Sequence, residues 1–169
     1  MYLTDKLRKN IFLSLAVIIA TALNFFEGII GTSGIIPGVK IGISNIVVLY
    51  VIYTFTFKDA IILSAFKSIL VSLISGTGLS FIYSLFGGLA SVVIMAVCKK
   101  SKNISEIGTS MAGSFIHITT QIFIAFVILS SEAVFYHYPF LLAVSIITGF
   151  INGYLVRLIL KKISYERRF

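Results

Sequence analysis

Apolar residues run along this chain in six blocks of roughly 15 to 23 residues, separated by short polar or glycine-rich gaps. A bilayer-spanning helix needs about 20 mostly apolar residues, somewhat fewer when its ends snorkel. The pattern predicts span 1 over Ile11 to Ile30, span 2 over Ile41 to Phe57 and span 3 over Ala60 to Ile74. It predicts span 4 over Leu79 to Cys98, span 5 over Ile107 to Leu129 and span 6 over Pro139 to Leu160. Gly31, Thr32, Ser33, Gly34, Pro37 and Gly38 break regular structure after span 1, and Ser75 to Gly78 turn the chain after span 3. Lys99 to Ser105 and Ser130 to Tyr138 form the later loops. The fold class expected is all-α: a polytopic membrane protein with six transmembrane helices, read as a single transmembrane domain over residues 1–169.

Composition strengthens this reading. The chain has 169 residues, 58% hydrophobic and only 12% charged. Too few positions of a soluble domain this size are interior to hide that much apolar surface. The net charge of +8 would suggest nucleic acid in a soluble protein, but here the basic residues flank the spans. Twelve of the fourteen fall at the N-terminus (Lys6, Arg8, Lys9), in the second and fourth gaps (Lys58, Lys99, Lys100, Lys102) and at the C-terminal end (Arg157, Lys161, Lys162, Arg167, Arg168). Lys40 stands alone on the opposite side, and Lys67 falls inside span 3. The positive-inside bias therefore predicts both termini in the cytoplasm. Span 1 lacks a small-residue cleavage exit and is read as retained. The one cysteine, Cys98, reads as a packing residue.

A few polar residues interrupt the spans. Lys67 lies about seven residues from either end of span 3, so it faces a cavity or a partner, or snorkels with a strained stem. Glu27 lies toward the outer end of span 1 with Asn24 one turn before it. It is either a partner of Lys67 or Lys40 or an interfacial carboxylate. His117 and Gln121, four apart in span 5, share a face. They either bond between helices or line a ligand site. Pro37 to Gly42 forms a solvated loop, or a lid or re-entrant loop in which Lys40 would suit an anionic group. Gly87, Gly88 and Ser91, and Gly149 and Gly153, are small residues at helix-packing spacing. Ala16 and Ala20 pack in the same way or meet another subunit.

Catalytic constellations are missing from the sequence. It has no nucleophile–base–acid set, no H-E-x-x-H and no phosphate loop. Asp5 and Asp59 are the only aspartates, too few for a metal–diphosphate site, and two histidines make a metal centre a poor reading. No cofactor is expected, and the chain is expected not to be an enzyme.

The stretch Pro37-Gly38-Val39-Lys40-Ile41-Gly42-Ile43-Ser44-Asn45 resembles the PGxKxGxxN signature of small bacterial membrane proteins labelled heptaprenyl diphosphate synthase component I, also called the Gx transporter family. Ser84 to Ser91 with Met95 is similar to that family's fourth span. Gly113, His117 and Gln121 are similar to its fifth, and Tyr138-Pro139 with Thr148-Gly149 to its last. Ile118 stands where relatives often carry Asn, and Lys67 where Arg is usual.

The resemblance implies kinship with the substrate-binding S-components of energy-coupling factor (ECF) transporters: six-span bundles, both termini inside, with an outward pocket covered by the loop after span 1. It implies that Ala16 and Ala20 dock the chain on a transmembrane coupling subunit that works with two ATPases. It also implies a small-molecule ligand near Lys40, Asn45, Lys67 and His117, and extends the candidate set to Asn24, Glu27, Ser84 and Gln121. An accessory, non-catalytic role in polyprenyl diphosphate or quinone synthesis is the alternative, and a purely structural or assembly subunit a third.

Overall fold

The structure is a computed structural model that describes residues 2–30, 39–75, 78–101 and 103–166. Pro37 and Gly38 of the loop, Gly76 and Thr77 of the turn after span 3, Lys102, Arg167 and Arg168 lie outside the described residues. The described chain is helical: α1 Tyr2–Ile30, α2 Asn45–Thr54, α3 Phe57–Ser75, α4 Gly78–Lys100, α5 Glu106–Leu129 and α6 Val134–Glu166. Four of them (α1, α4, α5 and α6) are long and apolar enough to cross a membrane.

The helix starts and stops follow local chemistry. α1 begins nine residues earlier than the apolar block, because Lys6, Leu7, Arg8 and Lys9 are good helix formers and Asp5 sits in its first turn. α3 begins at a reciprocal cap. The Thr56 hydroxyl accepts from the Asp59 amide at 3.3 Å, and the Asp59 carboxylate accepts from the Thr56 amide at 3.0 Å. The Ser105 side chain caps α5 by accepting from the Gly108 amide. α6 begins at Val134 rather than Pro139, so Pro139 lies inside the helix and one intrahelical bond is missing there. Two contacts with α5 hold this early start: Phe135 lies 5.2 Å from the Phe126 ring, and the Tyr138 hydroxyl lies 2.9 Å from Thr119 Oγ1.

The second span corrects the sequence reading. Its helix covers only Asn45–Thr54, ten residues, rather than Ile41 to Phe57. At 1.5 Å per residue that is about 15 Å, half of a hydrocarbon core of about 30 Å. Gly42 at φ +100° breaks the helix on its N-terminal side, and residues 39–44 run as an irregular strap. The strap turns at Ile43 and Ser44, where the Asn45 amide donates to the Gly42 carbonyl at 3.0 Å.

Helices α1, α3, α4, α5 and α6 form an arc in that contact order, and α2 touches all five from within. α1 and α6, the ends of the arc, do not meet among the described residues. Ile46, Val47 and Tyr50 of α2 floor the groove between them, about 430 Å³. Glycines set the close spacing along the rest of the arc. A Cβ on Gly88 would lie 2.5 Å from Ser64 Oγ of α3, and one on Gly113 would lie 2.6 Å from Met95 Cγ of α4. A Cβ on Gly153 would lie 2.6 Å from the Ile107 Cα, so the G-x-x-x-G pattern of α6 is spent inside the bundle, against α5.

The basic end is held by surface contacts. Lys9 Nζ lies 2.8 Å from the Asp59 carboxylate, which ties the start of α1 to the start of α3. Lys99 Nζ donates to the Ile52 carbonyl at the end of α2. Burial works to raise the Asp59 carboxyl, but Lys9 and the Thr56 bonds outweigh it and hold this group, one residue ahead of the span, below its ordinary value.

Candidate functional site

The other half of the bundle buries charge. Glu27, Lys40 and Lys67 are 3%, 6% and 0% exposed. Counted formally, two lysines against one glutamate leave a surplus of one positive charge in an environment that solvates ions poorly. Asn24, Ser44, Asn45, His117, Gln121 and Asn152 are buried as well.

Each of these groups is positioned by a different element. α1 carries Asn24 and Glu27 one turn apart toward its C-terminal end. Glu27 accepts from the backbone amides of Gly42 and Ile43, the latter at 3.1 Å. These amides lie just ahead of α2, where a helix start favours a carboxylate. Among the described residues no ammonium comes within 4.0 Å of Glu27, and Lys67 and Lys40 act on its buried carboxylate at longer range. Glu27 is a clasp on the strap.

α5 supplies the second clasp. Gln121 Oε1 accepts from the Lys40 amide at 2.8 Å while Gln121 Nε2 donates to the Lys40 carbonyl at 3.0 Å. α6 supplies the third, Asn152 Nδ2 donating to the Gly42 carbonyl at 3.1 Å. Irregular backbone at membrane depth must have its polar groups satisfied by protein, and side chains from three helices do so here.

Lys67 reaches in from the middle of α3. Its Nζ donates to Ser44 Oγ at 3.0 Å and to Asn45 Oδ1 at 3.4 Å. This is a partnered lysine, with no snorkelling. Lys40 turns its ammonium onto Asn24 Oδ1, and Asn24 Nδ2 donates to Ser44 Oγ at 3.2 Å. His117 lies between two glycines. A Cβ on Gly42 would come 3.4 Å from its Cδ2, and one on Gly87 3.1 Å from its Nδ1. Among the described residues His117 Nδ1 and Asn45 Nδ2 have no hydrogen-bond partner, although both are buried.

Seven of the eight sequence-predicted binding residues thus gather at one place: Asn24, Glu27, Lys40, Asn45, Lys67, His117 and Gln121. The eighth, Ser84, has its Oγ 3.1 Å from Ser68 Oγ between α3 and α4. Ser44 and Asn152 were not predicted. Ser44 is hidden in a motif read for its neighbours, and Asn152 lies inside the G-x-x-x-G stretch, which reads as packing. A lone Asn in an apolar span is the signal that would have found it.

Ala16 and Ala20 pack within the chain, and Ala16 also lines the open apolar groove between α1 and α6. They are 4% and 0% exposed and pack in one core cluster with Val48, Leu49 and Ile52 of α2 and Ala60 and Leu63 of α3. Both small side chains let α1 approach its neighbours within the chain. The outward face of α1 carries Leu15, Ile18, Ile19 and Phe26 instead.

These observations define an all-helical membrane protein with a charged, side-chain-clasped strap closing one half of its bundle. A family model described as heptaprenyl diphosphate synthase component I matches residues 15–159, and the chain belongs to that family. The match takes in every residue of the polar cluster, from Asn24 to Asn152. Comparison with curated proteins gives no match, and neither does comparison with solved structures.

Proposed function

We propose that this chain is the substrate-binding membrane subunit of an ECF-type transporter, similar to the S-components. Both termini lie in the cytoplasm, and the polar cluster faces the outer side. The observation that carries the reading is the strap. Residues 39–44 lie over buried Lys67 and His117, held by side chains from α1, α5 and α6 and by backbone bonds from the start of α2 to the carbonyls of Gly42, Ile43 and Ser44. Its links to α1, α5 and α6 are side-chain bonds, so the strap can loosen from those three helices while they stay folded. The formal positive surplus of the strap and the groups around it suits a small metabolite with an anionic or strongly polar group. Apolar walls suit the rest of such a ligand. Docking on a coupling subunit falls to the exposed apolar face of α1, and energy comes from two partner ATPases, since the chain carries no nucleotide motif.

Two further readings have specific support. The buried groups largely satisfy one another, which suits a structural polar lock in an assembly subunit. The family description favours a non-catalytic accessory role beside a polyprenyl diphosphate synthase. Purification from native membranes in mild detergent, with identification of every copurifying protein, separates them. Two ATPases and a membrane coupling subunit are expected. A soluble prenyl synthase without ATPases would overturn the transporter reading in favour of the accessory role.

A further inference from the structure

The basic end of the bundle carries a concavity that the polar cluster does not use. It has a volume of about 480 Å³ and lies where α2 ends, α3 begins and α4 finishes. Ile52, Phe57, Val93 and Val97 give it apolar walls, and Lys99 and Lys100 close one end. Phe57, Val93 and Val97 are exposed, so the walls open sideways, toward the hydrocarbon of a surrounding bilayer.

The charge at that end is organised. Lys99 is steered by its bond to the Ile52 carbonyl and by the Tyr53 ring, whose centroid lies 5.5 Å from Nζ. Its remaining N–H donors stay available. Lys100 follows it, and Lys58 directly follows the wall residue Phe57; both are exposed. Among the described residues no carboxylate lines the cavity, and the nearby Asp59 is committed to Lys9 and Thr56. The groove between α1 and α6 makes a useful contrast. It is of similar size and apolar, but no charged residue lines it.

We propose that the cavity binds one anionic phospholipid. Its phosphate sits on Lys100 and Lys58 with help from Lys99, and an acyl chain lies along Phe57, Val93 and Val97. Basic pockets beside spans recruit acidic headgroups, each lysine adding about fivefold in affinity. A soluble anion would meet the same lysines but leave the apolar walls uncovered.

The test is native mass spectrometry of the delipidated chain in mild detergent, titrated with dioleoyl phosphatidylglycerol or dioleoyl phosphatidylcholine. The wild type should take up one equivalent of phosphatidylglycerol at least tenfold more tightly than phosphatidylcholine. Lys58→Gln with Lys100→Gln should collapse that preference to about twofold or less. Lys161→Gln with Lys162→Gln removes equal charge from α6 and should leave it intact. Equal binding of the two lipids by the wild type would overturn the site, and so would equal loss in both double variants. Glycerol phosphate competing as well as the intact lipid would overturn the lipid assignment in favour of a soluble anion.

Discussion

Both halves of this bundle hold an apolar cluster, the second around Val39, Tyr83, Ile118 and Ile122, but only one adds buried charge to it. The basic half is an apolar core: Val48, Leu49, Ile52, Ala60, Leu63, Val92 and Met95 pack against Ala16 and Ala20. Its ionic contacts, such as Lys9 with Asp59, sit at the rim. The other half buries two lysines, a glutamate, a histidine and several amides around a stretch of non-helical backbone. Apolar packing is non-directional and tolerates small changes of partner. A buried polar network holds only while each clasp is intact, because an unpaired charge or amide at that depth has no water to turn to. A bundle needing only stability would repeat the first half. Building the second half is costly, and that cost is the physical reason to look for function there.

The comparison can be broken at several points. The largest effect is expected at Glu27. Glu27→Leu strips two backbone amides of their acceptor and leaves both lysines without a counter-charge. It should destabilise the chain by about 3–5 kcal/mol in detergent melting. Glu27→Gln, which keeps one acceptor, should lose clearly less. Equal and small losses for both would mean that the strap does not depend on this clasp.

A mid-sized effect is expected in the apolar half. Ala20 is fully buried, so Ala20→Leu must force α1 away from α2 and α3, at about 1–3 kcal/mol. A variant that melts like the wild type but fails to assemble with partners would restore Ala20 to a docking surface.

The smallest effect is expected at the rim. Asp59→Asn should cost no more than about 1 kcal/mol, because Lys9 is partly exposed. The carboxyl is held below its ordinary value in the folded chain. Its contribution is therefore complete above the ordinary carboxylate range and fades as pH falls through that range to the lowered folded value. Melting curves of wild type and Asp59→Asn should converge at acid pH. A constant gap between them would contradict this.

Much of this was legible in the sequence. Hydrophobic block length gave the helices, and the lone intramembrane lysine with its neighbours Glu27, His117 and Gln121 pointed to the polar half. What escaped has a common cause: apolar periodicity reports burial and is silent about what lies opposite. Residues Ile41 to Ser44 are as apolar as a helix end, and only the positive φ of Gly42 reveals a strap. Ala16 and Ala20 have the spacing of an interface, and spacing does not distinguish a neighbour in the chain from a neighbour in a complex. Glu27 was sought as a partner for lysine side chains, whereas its oxygens meet backbone amides, a pairing no side-chain pattern announces.

The central claim is that the strapped half is a ligand site rather than a structural lock. The most direct test is native mass spectrometry of the chain purified from its own membrane, comparing wild type with Lys67→Met and recording melting in parallel. A non-lipid small molecule carried by the wild type and lost from a Lys67→Met protein that still melts cooperatively is the predicted result. A wild type that carries no such molecule, with Lys67→Met unfolding in place of losing a ligand, would contradict the claim and make the cluster a lock.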